Sequence, residues 1–416
     1  MSKNSTLHIG IDVSQKKCDV WFMGDSGEQL EKVRSYPNTL PGTKSLESYI
    51  VSLMNSHSFD RLKIGTESTG FYDEPLVHYL ASSSHLSTYG HEVFRLNARL
   101  VKAFKKAYSD RDKKDPDDAF VIADRLRFGR LPQAYEAHQP YLPLRRLTRY
   151  RYHLVQSITR EKNCFLSYLF LKFCGFNQMR PAGQIFSATS RALVEDFLSP
   201  DEIVKMPIDK LVQFVQKKGR NRFPDPEEVA EAVRKAARDL CRLRPALAKS
   251  VNIVLSSILA TIRALEKTLK EIDRAIAQEF ACFPNTLSSI PGIGPVYSAG
   301  IYAEIGDVHR FPSNNQIAKL AGLVWRRYQS GDFEADETRL IQGANMYLRY
   351  YLCEAANALR MHNADYKRFY ETKYKEATKH HHKRAIVLTA RKLVRLIYAL
   401  LAKQQLYQPG FQASKR

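Results

Sequence analysis

Over the first 130 residues, short apolar runs alternate with amphipathic stretches. The apolar runs predict strands at 8–14, 18–23, 61–67 and 92–96. A polar turn at 15–17 joins the first two, which we expect to form a hairpin. Apolar residues at helical spacing predict helices at 43–54 and 74–80, and others starting near Ala98 and Pro116. This alternation is typical of an α/β domain.

Beyond residue 131 the apolar spacing is helical. Two long amphipathic segments, 144–173 and 247–280, flank a region of shorter predicted helices, and the second has apolar residues close to heptad spacing. Ser199 and Asp225, each followed by proline, are predicted helix starts within that region. We therefore expect a coiled-coil hairpin with a helical insert. No apolar run is long enough to predict a membrane span.

The last third also has a helical pattern, with predicted helices at 297–305, 317–320, 341–362 and 385–401. Gly292 and Gly294 stand between two short helices, where their backbone N–H groups face outward. This arrangement resembles a helix-hairpin-helix DNA-binding element, although Pro-Gly-x-Gly is also common in ordinary tight turns. We predict domains at 1–132, 133–284 and 285–406, and a disordered tail at 407–416.

Charge favours nucleic acid as the partner. The 416 residues carry 64 Lys and Arg against 43 Asp and Glu, a net charge of +21 spread along the chain. A membrane-surface protein would more typically concentrate its charge on one element. The six cysteines include no C-x-x-C pair, and no signal sequence precedes the first strand. We expect a cytoplasmic, nucleoid-associated protein without a membrane partner.

Four carboxylates stand out against this basic background. Asp12 interrupts the first apolar strand, and Glu67 ends a later one, where a buried charge is costly unless it is paired or bound to metal. Asp115 and Asp118 share the first turn of the helix that begins at Pro116. Two carboxylates so close can hold a divalent cation, but an acidic N-cap favoured by the helix dipole explains the same residues.

Strand Asp, strand-end Glu and helical Asp-x-x-Asp, in that order, resemble a ribonuclease-H-like (RuvC-like) nuclease core. More narrowly, the chain resembles the DEDD transposases and recombinases of the IS110 insertion-sequence family, which are bridge-RNA-guided relatives of Piv-type DNA invertases. The segments that carry the resemblance are Ile9-Gly10-Ile11-Asp12-Val13-Ser14, Glu67-Ser68-Thr69-Gly70, Arg95-Leu96-Asn97 and Lys114-Asp115-Pro116-Asp117-Asp118-Ala119.

The resemblance implies that Asp12, Glu67, Asp115 and Asp118 are catalytic ligands of two Mg²⁺ ions, with Asp117 as a spacer. Lys114 departs from the family pattern, which usually has a small hydroxyl residue there. The family's C-terminal domain has a Ser-Gly before a segment similar to 342–349, which implies that Ser330 is the nucleophilic serine.

A further departure follows Ser330. Relatives tend to be basic and glycine-rich there, whereas this chain has Asp332, Glu334, Asp336 and Glu337. The residues that we expect to contact nucleic acid are Gly292, Gly294, Arg326, Arg327, Arg339 and Arg349.

We therefore expect a DNA transposase or site-specific recombinase with an α/β N-terminal domain, a long helical hairpin and a mainly α C-terminal domain. It would act on DNA with a structured non-coding guide RNA, as a homo-oligomer, dimer or tetramer. Two alternatives stay open. One is a metal-dependent, Holliday-junction-resolvase-like nuclease or DNA invertase that uses water and forms no serine adduct. The other is a non-enzymatic nucleic-acid-binding protein.

Overall fold

The computed structural model describes residues 5–57, 59–68, 70–108, 115–197, 199–325, 329–330, 333–334, 340–341 and 343–409. It describes only the backbone of residues 115–117, 177, 178, 329, 330, 333 and 334. The chain divides into two compact units, Met1–Pro140 and Tyr141–Arg416.

The first unit is built on a mixed sheet. Its described residues contribute five strands in the order β3-β2-β1-β4-β5, namely β1 Thr6–Val13, β2 Lys17–Met23, β3 Arg34–Pro37, β4 Arg61–Ser68 and β5 Glu92–Asn97. Central β1 pairs antiparallel with β2, as the predicted hairpin requires, and parallel with β4, which pairs parallel with β5. The sequence did not predict β3, because this mostly exposed edge strand has no apolar pattern.

Helices cover the sheet, so the predicted α/β character of this unit is confirmed. They are α1 Leu40–His57, α2 Glu74–Ala81, α3 Ser84–Ser87, α4 Ala98–Lys105 and α5 Asp115–Phe128. Apolar residues of α1 and α2 pack with those of the strands in one buried cluster. A second cluster joins α4 and α5 to β5 through Phe94, Val101 and Phe120. Helix α5 begins at Asp115, one residue before the predicted start at Pro116.

A helical hairpin opens the second unit. Its arms are α6 Leu142–Lys172 and α12 Pro245–Phe280. The arms are antiparallel, since Leu144 near the start of α6 packs with Phe280 at the end of α12. Arg151 forms an ion pair with Asp273 across the arms, with 2.6 Å between Nε and Oδ1. The predicted hairpin is therefore confirmed.

The helical insert lies between these arms. It comprises α7 Phe176–Met179, α8 Ala188–Asp196, α9 Pro200–Lys205, α10 Ile208–Gly219 and α11 Pro226–Arg238. Asp225 caps α11 as predicted, because its side chain accepts the N–H of Glu228. Ser199 precedes α9, but its side chain makes no capping hydrogen bond.

One sequence-based expectation was wrong. Within the described part of the chain, α12 is long and apolar enough to cross a membrane by length and composition, whereas the sequence analysis found no such run. Its Leu255 and Leu259 are buried in the core that the insert shares with α6. Only 28% of its apolar stretch is buried, so packing in this core accounts for part of the apolar surface of α12.

The rest of the second unit is mostly helical, as predicted. Its elements are α13 Pro295–Ile305, α14 Asn314–Leu320, β6 Gln329–Ser330, β7 Phe333–Glu334, α15 Met346–His362, α16 Ala364–Glu376 and α17 His381–Lys403, with 3₁₀ turns at Leu287–Ser289 and Val308–Arg310. Helix α15 begins five residues later than predicted, because Asn345 caps it by accepting the N–H groups of Tyr347 and Leu348. The sequence did not predict α16. The predicted disordered tail falls mostly on residues 410–416, outside the described part of the chain.

Candidate active site

Two carboxylates lie side by side on neighbouring strands of the first unit. Strands β1 and β4 run parallel with Ile11 opposite Thr66, so Asp12 and Glu67 are the next residues along each strand. Both side chains are half-buried. Glu67 is the penultimate residue of β4, at the carboxyl edge where α/β sheets commonly place functional groups.

Helix α5 brings the third carboxylate to the same place. It packs directly against β1, because a Cβ on Gly10 would overlap the backbone of Ala119 and Ala123. Any side chain at position 10 would push the helix away from the strand. The close approach sets the first turn of α5, including Asp118, beside the strand that carries Asp12.

The electrostatics of Glu67 show the influence of the other two carboxylates. Burial raises the pKa of the Glu67 carboxyl, and the negative charges of Asp118 and Asp12 raise it further. Lys105 opposes this shift, and its ammonium group forms an ion pair with Asp118. The negative charges of Asp118 and Asp12 thus act on a half-buried Glu67, and Lys105 partly offsets them.

The donor set suits a divalent cation, since carboxylate oxygens are the ligands that Mg²⁺ prefers. Among the side chains that the structure describes, no group of three or more His, Cys, Asp or Glu is arranged to hold a metal ion. The side chain of Asp115, the fourth predicted ligand, lies outside that set. The carboxylates therefore have the chemistry of a divalent-cation site, but the described side chains by themselves do not form one.

Close to Glu67, residues to which the sequence analysis gave no role form a set of hydrogen bonds. Arg95 of β5 binds the buried Asp73 with both Nε and Nη2, at 2.6 and 2.7 Å. It also donates to the carbonyl of Gly70 at 3.2 Å. The Thr66 hydroxyl donates to Asp73 as well. The sequence signal was present in the Arg95-Leu96-Asn97 segment, but nothing in it identified Asp73 as the partner.

Ser330 lies in the second unit. Ser330 ends β6 and pairs antiparallel with Phe333 of β7, so it belongs to a short hairpin. Its side chain, and the whole of Arg326, Arg327 and Arg339, lie outside the described residues.

The other three predicted nucleic-acid contacts are described. Gly292 and Gly294 are exposed between a 3₁₀ turn and α13, as predicted, and Gly292 has a positive φ of 80°. Arg349 is half-buried, and its guanidinium donates to the backbone carbonyls of Ala321 and Ile341.

Comparison with known sequences matches both ends of the chain. A profile of IS110-type DEDD transposases matches residues 9–173, and a profile of the transposase IS116/IS110/IS902 family matches residues 285–371. An insertion element IS116 protein of Streptomyces clavuligerus is 26% identical over 333 residues, 78% of this chain and 80% of that protein. The transposase for insertion sequence element IS1111A of Coxiella burnetii is 29% identical over 171 residues, 40% and 46% of the two chains. An insertion element IS900 protein of Mycobacterium paratuberculosis is 25% identical over 339 residues, which are 77% of this chain and 79% of that protein.

The two profile matches together span more than half of the chain. The protein is therefore an insertion-sequence transposase, an enzyme that acts on DNA. Within that class it belongs to the IS116/IS110/IS902 family.

Proposed function

We propose that the first unit is a RuvC-like nuclease domain in which Asp12, Glu67, Asp115 and Asp118 hold divalent metal, most simply two Mg²⁺ ions. The observation that supports the proposal is that the negative charges of Asp118 and Asp12 both act on the carboxyl of Glu67, inside the region matched by the DEDD transposase profile. Transposases of this class typically use divalent metal ions.

Bound metal would supply Lewis acidity toward a scissile phosphate. The chain's own residues prepare the site. Asp12 and Glu67 are held at adjacent positions by the β1–β4 pairing, and Asp118 by the contact of α5 with β1. Lys105 supplies positive charge beside Asp118. Arg95 keeps the loop after Glu67 in place.

We further propose that Ser330 is the nucleophile. Its hydroxyl oxygen forms a bond to phosphorus, one phosphorus–oxygen bond to deoxyribose breaks, and the leaving oxygen takes up a proton as the serine loses one. The resulting phosphodiester between protein and DNA conserves the bond energy for rejoining. Support comes from the position of Ser330 in the segment matched by the second family profile.

Target choice would come from a structured guide RNA, with the protein contributing phosphate contacts that are indifferent to sequence. The net charge of +21 can neutralise DNA and RNA backbones together. Such an enzyme would act in the cytoplasm, where the DNA is, as a dimer or tetramer that holds two DNA partners.

The test is a set of isosteric substitutions assayed for strand cleavage on matched donor DNA. Asp12→Asn, Glu67→Gln, Asp115→Asn and Asp118→Asn should each lower cleavage at least about 100-fold, because amides keep the shape but not the charge that holds the cation. Asp117→Asn is the matched control and should be mild. Mg²⁺ should raise the melting temperature of the wild type and not of Asp12→Asn. Equal loss at Asp117 and Asp118 would contradict the assignment.

The same assay separates a second candidate function. A resolvase-like nuclease that uses water would also lose activity in the carboxylate variants, but would form no covalent protein–DNA adduct. Denaturing gels of stalled reactions distinguish the two.

A further inference from the structure

The segment that carries Ser330 is a hairpin with a defined base. Trp325 and Leu340 pair in an antiparallel bridge, and the Ile341 N–H donates to the Val324 carbonyl at 3.0 Å. Further out, β6 and β7 pair antiparallel. Along the sequence, only residues 326–328 separate Trp325 of this base from β6, which ends at Ser330.

Arg349, in the first turn of α15, holds both sides of this base. Its Nε donates to the carbonyl of Ala321 at 2.9 Å, on the side where the chain enters. Its Nη2 donates to the carbonyl of Ile341 at 3.2 Å, on the side where the chain leaves. A planar guanidinium can span two separate carbonyls with fixed geometry, whereas a lysine ammonium is a point charge on a flexible stem.

Gly322 makes room for this guanidinium. A Cβ at position 322 would overlap Nη2 of Arg349 and lie 2.6 Å from Cβ of Ala344. Gly322 also has a φ of 66°, a left-handed conformation that favours glycine. The backbone at Gly322, on the side where the chain enters the hairpin, is thus in close contact with the guanidinium of Arg349.

Helix α15, which carries Arg349, is itself fixed by buried polar contacts. Asn345 caps it and donates through Nδ2 to Glu304 Oε2 at 2.7 Å. Glu304 is only 2% exposed and receives two hydrogen bonds from Arg149 of α6, at 2.6 and 2.9 Å. Charge-assisted bidentate pairs of this kind are strong and directional. Arg349 therefore connects the hairpin base to a rigid part of the unit.

We propose that Arg349 is a positioning residue for Ser330, in place of the phosphate contact that the sequence analysis assigned to it. The inference rests on the proposed function in taking Ser330 as the nucleophile. In this proposal Arg349 acts on the reaction through the hairpin base, because its Nε and Nη2 groups donate to backbone carbonyls on both sides of that base.

The experiment uses Trp325 as a reporter at the hairpin base. The chain has two tryptophans, so Trp21→Phe leaves Trp325 alone. This background should be tolerated, because among the described residues Trp21 Nε1 is buried without a hydrogen-bond partner. In the Trp21→Phe background, Arg349→Lys and Arg349→Gln are compared with Arg368→Gln. This control removes the same single positive charge as Arg349→Gln, at a side chain that is 78% exposed.

Both Arg349 variants should red-shift Trp325 emission, increase its quenching by acrylamide and lower serine-adduct formation about 10- to 100-fold, since small misplacements of a reacting group cost that much. Arg368→Gln should cause none of these three changes. The salt dependence of DNA binding should be unchanged in Arg349→Gln. Gly322→Ala should reproduce the Arg349 phenotype with every charge retained. Circular dichroism and the melting temperature show that the variants are folded.

Two results would overturn the proposal. One is near-normal adduct formation in Arg349→Lys, together with a DNA affinity of Arg349→Gln that depends less steeply on salt, by an amount equal to about one phosphate contact. The other is unchanged Trp325 emission in both variants. If Trp325 responds as expected but Ser330→Ala still forms the adduct, the contact of Arg349 with the hairpin base is supported and only the serine mechanism fails.

Discussion

His8 is buried in the centre of β1, with a side chain 4% exposed. Its Nε2 lies 3.2 Å from Asp25, and among the described residues its Nδ1 has no hydrogen-bond partner. Burial lowers the pKa of the imidazole, and nearby Lys63 and Arg127 add to this, although Asp25 opposes it. The folded protein therefore keeps His8 neutral at a pH where the unfolded chain has already taken up a proton.

This imbalance predicts acid sensitivity. Below the ordinary histidine pKa of about 6.5, the unfolded chain binds a proton that folded His8 does not. The free energy of unfolding therefore decreases as the pH decreases, by up to about 1.4 kcal/mol per pH unit. Above a pH of about 6.5 this group has no effect on stability. His8→Gln should flatten this part of the curve between pH 6.5 and 5, measured by urea unfolding at each pH. His78→Gln, at an exposed position, is the control. Parallel curves for wild type and His8→Gln would contradict the prediction.

At the scale of elements, the contact between α5 and β1 links folding to the candidate site. Gly10 lets the helix backbone touch the strand, and Asp118 lies next to the contacting residue Ala119. The same contact buries Ala119, Ile122 and Ala123, whose exposed fractions are 0%. A change at Gly10 therefore acts on stability and on the carboxylate arrangement together.

Gly10→Ala should destabilise the protein by about 2–3 kcal/mol, because the new methyl group meets main chain that cannot move aside. Strand cleavage should fall at least about tenfold even where the variant is fully folded, because Asp118 is displaced. Gly24→Ala is the matched control, since a Cβ there meets only the flexible side chain of Glu28. Urea denaturation and the cleavage assay measure the two effects. Normal cleavage by folded Gly10→Ala would show that the site does not depend on this contact.

At the scale of the whole molecule, the predicted nucleophile and the predicted metal ligands belong to different compact units. Carboxylates Asp12, Glu67 and Asp118 lie in the first unit and Ser330 in the second. The proposed chemistry needs both at one phosphate, within one chain or between two protomers. A serine hydroxyl is a poor nucleophile unless a base or metal activates it.

Mixing two inactive variants tests which arrangement is used. Ser330→Ala should form no covalent adduct, and its DNA binding should stay near normal, because one hydroxyl adds little to a phosphate-dominated interface. Asp12→Asn should also be inactive. In a mixed oligomer with shared sites, the intact serine of one chain meets the intact carboxylates of the other, so we expect partial recovery of strand exchange. No recovery, with both variants folded and co-assembled, would place the whole site in one chain.

Much of the architecture followed from the sequence alone. Apolar periodicity located β1, β2, β4 and β5 and the arms of the helical hairpin to within a few residues, because burial of one face imposes a period of two or of 3.6. It missed β3 and α16, whose side chains are mostly polar and exposed, although α16 buries Tyr366 and Tyr370 one turn apart. The motifs also identified the family, and they pointed to Asp12, Glu67, Asp115, Asp118 and Ser330 as candidates.

Only the tertiary structure decided which residues meet. That Glu67 is influenced by both Asp118 and Asp12 depends on the parallel pairing of β1 with β4 and on the close approach at Gly10. That Arg349 is bonded to Ala321 and Ile341 could not be inferred from a basic composition, which favours a phosphate contact for any arginine. The physical reason is the same in both cases. Periodicity records which face of an element is buried, whereas partners distant in sequence are chosen by packing and by hydrogen-bond geometry.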